Sequence, residues 1–109
     1  RMLNATYIQQ IANIYGTGAA TTVSEAIEKT EDFLRYEKDY ETASTEIEHD
    51  LIHRGTSEKV IRFSLIAVHA VYQGWDDAFD FFLDHDDFAL ATDGQAELIR
   101  WVGDGNWLQ

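Results

Sequence analysis

Cysteine and proline are both missing from this 109-residue chain, and bases are scarce: eight lysines and arginines stand against twenty aspartates and glutamates. Without cysteine there is no disulfide, no thiolate nucleophile and no cysteine-held metal. Without proline, no ring-imposed kink or helix stop is written into the chain. No apolar run reaches the roughly 18 residues that a spanning helix needs. The longest, Val60 to Tyr72, is interrupted by Arg62, Ser64 and His69. The shortage of lysine and arginine also argues against direct binding to DNA, RNA or an anionic membrane, because those ligands demand cations that displace counterions.

What is present is a core and a charge. Hydrophobic residues make up 45% and aromatics 13% of the chain, enough for one domain spanning residues 1–109 that buries roughly two-thirds of its unfolded surface. The net charge of −12 exceeds the magnitude of about 2–8 that suffices for solubility. Self-repulsion on that scale costs stability, so a basic partner is its natural complement. Arg1 ahead of Met2 reads as a cloning remnant, no secretory signal opens the chain, and the default expectation is a cytoplasmic protein.

Glycines punctuate segments of helical periodicity, which predicts an all-α domain of five to six short helices around a central apolar one. Tyr7, Ile8, Ile11, Ile14 and Tyr15 mark a first helix from Asn4 to Tyr15, stopped by Gly16 and followed by a small-residue loop, Gly16 to Thr21. Thr22 with Glu25 matches a capping box, and so does Thr45 with Glu48. The first would open a helix with the apolar stripe Val23, Ala26, Ile27, Phe33 and Leu34. The second would open a shorter one carrying Ile47, Leu51 and Ile52, closed by Gly55. Nothing between Lys38 and Ser44 forbids one continuous helix instead.

Thr56 or Ser57 caps a fourth helix, about residues 57–73. Its apolar residues cover nearly the whole circumference, so it is expected at the centre. Its β-branched content would suit strands, but about sixteen residues without a turn signal favour helix. A fifth helix runs from Trp75 to about Asp84. A sixth, from Asp93 or Gly94 to Val102, precedes a turn at Gly103 to Asn106, with Trp107 and Leu108 able to fold back.

The stretch WDDAFDFFLDHDDF, residues 75–88, holds six aspartates and five large aromatics without a single lysine or arginine. At helical spacing Trp75, Ala78, Phe79, Phe82 and Leu83 form a core stripe, leaving Asp76, Asp77, Asp80, Asp84, Asp86 and Asp87 to face water. Like charges at i, i+4, such as Asp76/Asp80 and Asp80/Asp84, destabilise a helix. Aspartate is also a poor interior residue. Acids at the first turn suit the helix dipole, whereas Asp84, Asp86 and Asp87 oppose it at the far end. Over roughly 18 Å of helical rise, six carboxylates amount to about one charge per 3 Å, close to the 3.4 Å or so per phosphate of one DNA strand.

A second acidic region, Glu25 to Asp50, carries ten acids against Lys29, Arg35 and Lys38. Glu25, Glu28 and Asp32, with Glu31, are expected as an outward stripe. There Lys29 and Arg35 lie within reach of Glu25 and Glu31, as on an ordinary solvated helix.

Catalytic and metal signatures are incomplete. Glu46, His49 and His53 can share one helical face, but a di-metal bundle needs a second Glu-x-x-His, and none exists. From Asp84, a calcium loop would need glycine and glutamate where Ala89 and Gln95 stand. Gly16-Thr-Gly18 lacks the third glycine of a dinucleotide loop and the lysine of a phosphate loop. Ser64, five residues before His69, is poorly placed as its nucleophile. His69 itself reads as a core histidine with one satisfied hydrogen bond.

The leading expectation is therefore a non-enzymatic, cofactor-free protein that presents carboxylates to a basic protein. In its sharpest form it is an inhibitor that mimics nucleic-acid charge in the cleft of a nucleic-acid-binding enzyme. In size and charge alone it is comparable to phage- and plasmid-borne anti-restriction and anti-CRISPR factors. The alternatives are an immunity protein or antitoxin for a basic toxin, with Tyr40 or Trp107 as an aromatic anchor, and a helical interaction module with halophile-type acidity. Three lysines against eleven aspartates suit the last.

Overall fold

A computed structural model describes the backbone of residues 2–83 and the side chains of residues 4–81. They form five α-helices: α1 (Met2–Tyr15), α2 (Thr17–Arg35), α3 (Tyr40–His53), α4 (Glu58–Gln73) and α5 (Trp75–Leu83). The expected sixth helix, the turn after it, Trp107, and Asp84, Asp86 and Asp87 lie outside the described residues.

The chain reverses twice on a single glycine. Gly16 and Gly74 both have φ of +95°, a conformation that costs an L side chain heavily and glycine little. Each ends one helix by donating to the carbonyl four residues back, Ala12 or Ala70. Each opens the next by accepting from the amide four residues on, Ala20 or Ala78. This overturns the expected loop at Gly16 to Thr21. One residue makes the turn, and helix resumes at Thr17 because Ala20 and Val23 then pack against Tyr7 and Ile11. Thr22 is consequently inside α2, where its hydroxyl donates to the Gly18 carbonyl rather than capping.

Two helices, not one, follow. Glu37 takes a left-handed φ of +61°. Around it the Lys38 amide donates to Phe33 and the Glu37 amide to Leu34, a Schellman closure built without glycine. Asp39 then caps α3 by accepting from the Thr42 amide at 2.8 Å. Bonds from the Thr42 hydroxyl and amide hold the Asp39 carboxyl below its ordinary pKa. The true cap is thus Asp39. Thr45 and Glu48, read as a box, sit one turn inside the helix. Gly55, at φ +72°, closes α3 as expected, and Ser57 caps α4.

α4 packs against α2, α3 and α5 and contributes to both apolar clusters. One joins Tyr7 and Ile11, Val23 and Ile27, Phe63, Ile66, Ala67 and Ala70, and Ala78 and Phe79. The other joins Ala26, Ile47, Leu51 and Val68. The Tyr7 hydroxyl donates to the Phe63 carbonyl at 2.9 Å, fastening α1 to the central helix; burial raises its pKa well above the ordinary value. Two residues assigned to apolar stripes are instead open to water: Leu34 at 46% and Ile52 at 57% exposure. Both lie in the last turns of their helices, α2 and α3.

Candidate functional site: the acidic face of α5 and its histidine clamp

At about 100° per residue, Asp76, Asp77 and Asp80 fall within an arc of roughly 100° on α5. All three are exposed, while Ala78 and Phe79 are buried on the other side. The aromatic underlayer is tight. Trp75 and Phe79 stack with centroids 5.4 Å apart, and both meet the Tyr7 ring, at 4.6 and 6.0 Å. The Trp75 indole N–H also donates to Asn4 at 2.9 Å. The face is therefore carried on a helix anchored at its first turn and again at Phe79.

Sequence reasoning missed how one of these aspartates is held. His69 on α4 is buried, its side chain 8% exposed, and its Nε2 lies 2.9 Å from Oδ2 of Asp77, whose side chain is 63% exposed. Nδ1 lies 3.1 Å from the Tyr40 hydroxyl at the start of α3. A carboxylate can only accept, so Nε2 carries a hydrogen and donates. In the uncharged ring with that tautomer, Nδ1 is the acceptor for the Tyr40 hydroxyl. Burial raises the Tyr40 pKa above its ordinary value, and a bond with Ser44 opposes that shift. Tyr40 thus stays protonated and able to donate.

Rings close the clamp on both sides. Phe81 stacks on the imidazole at 5.0 Å, and Tyr40 meets it edge-on at 5.1 Å. Tyr72, edge-on to Tyr40 at 5.9 Å, donates to the Lys38 carbonyl at 2.7 Å. The only signal available in sequence was a polar residue in the apolar run of α4. Its partners are 29 residues upstream and eight downstream, and only packing reveals them. Among the described residues His69 makes two bonds where one was expected. Tyr40, expected as an exposed anchor in the toxin-binding alternative, is instead part-buried in this network, and Tyr36 is the exposed tyrosine.

Four of the ten acids in the second region pair with cations of the same chain. Glu25 pairs with Arg54 at 3.6 Å, Asp50 with Arg54 at 3.3 Å, Asp32 with Arg35 at 2.8 Å and Glu46 with Lys38 at 3.0 Å. Glu28 is exposed on the same side of α2. The expected Lys29–Glu25 and Arg35–Glu31 pairs do not form. Arg54 reaches Glu25 from α3, Asp32 is nearer to Arg35, and Lys29 lies over the Phe33 ring at 5.9 Å. Arg62 pairs with Glu58 inside α4. Among the described residues, Asp76 and Asp80 form no salt bridge.

Among the described residues, Ser64 and His69 are not brought together as a nucleophile and base. Ser64 is fully buried, its hydroxyl has no hydrogen-bond partner among the described residues, and it lies about 140° around α4 from His69. No group of three metal-ligating side chains occurs among the described residues. Nor is any described helix long and apolar enough to cross a membrane. Searches with this chain find no matching family model, no similar curated protein and no similar solved structure.

Proposed function

We propose that this protein works by binding, presenting the carboxylates of α5 to a basic protein surface. Its sharpest form is inhibition of a nucleic-acid-binding enzyme by charge mimicry, in the manner of cytoplasmic phage- or plasmid-encoded inhibitors. The single observation that carries the reading is that the acidic helix α5 holds no lysine or arginine of its own. Glu25, Asp32, Glu46 and Asp50 are balanced by cations of the same chain, whereas Asp76 and Asp80 stand exposed over an aromatic underlayer without a salt bridge among the described residues. Carboxylates left uncompensated lower stability through repulsion and are the groups a cationic partner would neutralise. Asp77 adds a carboxylate whose position is set by His69; an ordered side chain loses less entropy on binding than a free one. In this reading Asp84, Asp86 and Asp87 continue the same acidic stretch, and Glu25, Glu28 and Asp32 are accessory.

Affinity capture from a host lysate at low salt, with a graded salt wash, identifies the partner. Binding is then measured with the purified partner. The affinity is expected to fall steeply with salt, and the triple replacement of Asp77, Asp80 and Asp84 by asparagine is expected to weaken it by tenfold or more, about 1.4 kcal/mol. An affinity that survives the triple replacement removes the reading.

A further inference from the structure

A second feature of the surface is independent of α5. His49 and His53 lie one turn apart on α3, both exposed, and line one shallow open depression with Asp50 and Ile52. Neither imidazole has a hydrogen-bond or ion-pair partner among the described residues. The neighbouring acids are occupied. Both oxygens of Glu46 are 3.0 Å from the Lys38 ammonium, and Asp50 is 3.3 Å from Arg54. The three-ligand face conceivable from sequence, Glu46 with His49 and His53, is thus reduced to its two nitrogens.

Two imidazoles at i and i+4 are a chelating unit. Their Cβ atoms are about 5–6 Å apart on any helix, and each long, flat side chain can bring a nitrogen to the roughly 2.0–2.1 Å that a divalent transition ion requires. Imidazole donors select ions from the right of the first transition row, copper, nickel and zinc, over magnesium and calcium, which prefer oxygen. The net charge of −12 raises the local concentration of any divalent cation. We propose that His49 and His53 form a two-ligand surface site for such an ion. Water, or a donor from another molecule, completes its coordination. The helix α3 is the scaffold, already folded and capped by Asp39, so no ordering of backbone opposes binding.

Copper(II) is the sharpest probe because it stands highest in the affinity order. Isothermal titration of the full chain at neutral pH is expected to show one saturable copper site. Its electron paramagnetic resonance spectrum should carry nitrogen splitting from two imidazoles. His49→Ala and His53→Ala should each weaken the site by about tenfold or more, since each destroys the chelate. Both side chains are exposed, so the variants should fold as the parent does; circular dichroism checks this. Zinc should raise the Tm of the parent, because a ligand bound only to the folded helix stabilises it, and should not do so in the double variant. Magnesium should discriminate neither protein. Retention of the parental copper affinity by the double variant, or a spectrum without two-nitrogen splitting, overturns the proposal.

Discussion

The acids of α2 and α3 and the acids of α5 carry the same formal charge and do different things to the fold. In α2 and α3, Glu25, Asp32, Glu46 and Asp50 are knitted to Arg35, Lys38 and Arg54. Arg54 alone spans two helices by reaching both Asp50 and Glu25. On α5, Asp76 and Asp80 repel one another at i, i+4 and stay in place because Trp75, Ala78 and Phe79 are held from beneath. Exposed ion pairs are individually worth little, so the lesson lies in how far each negative field is offset by cations of its own region. One acidic region offsets four of its ten acids with Arg35, Lys38 and Arg54. The other projects a negative field that the protein supports with apolar packing and one buried histidine.

The comparison breaks most completely if the underlayer is removed. Phe79→Ala deletes a 5%-exposed ring packed against Trp75 and Tyr7 and should cost about 3–5 kcal/mol of stability in urea unfolding. It should cost far more than Leu34→Ala at the exposed end of α2, which removes little buried area. Equal losses would mean that α5 is not held by its aromatic face.

His69→Ala comes next. It breaks the bonds to Asp77 and Tyr40 and leaves the part-buried Tyr40 hydroxyl without its acceptor, at an expected cost of about 1–3 kcal/mol. Asp77→Asn retains an oxygen that can accept from Nε2 and should cost less. If the asparagine variant were the more damaging by chemical denaturation, attraction between charges, and not hydrogen bonding, would govern the clamp.

The smallest effects sharpen the contrast through their signs. Asp80→Asn relieves a like-charge pair and should stabilise the protein by a few tenths of a kcal/mol at low salt, an advantage that added salt erases. Asp50→Asn removes an ion pair and should destabilise by a similar amount. Paired thermal melts at low and high salt check both. The same sign for the two variants would dissolve the distinction between the regions.

Much of this architecture was legible in the one-dimensional pattern, for reasons that differ by element. The apolar circumference of α4 marks it as central because burial on all sides needs no knowledge of what surrounds it. Gly16, Gly55 and Gly74 mark ends because positive φ is costly for other residues. Helix starts were harder. Thr22 and Thr45 match a capping pattern, yet Gly16 and Asp39 open the helices. The threonine signature is equally compatible with a helix interior once packing of Ala20 or Ala43 favours extending the helix toward its N-terminus. The break at Glu37 has no compositional signal, since its Schellman closure uses a residue that ordinarily avoids that conformation.

Composition and spacing by themselves determined that the chain is helical, that residues 75–83 separate into an apolar and an acidic side, and that no thiol chemistry is open to it. These follow from local periodicity and from residue inventory, which contain all the required information. Packing alone decided which acids are neutralised, that Tyr40 is partly buried, and that His69 reaches across from α4 to hold Asp77. Such contacts join residues brought together by burial of apolar surface, a collective property of the whole chain that no short window of residues encodes.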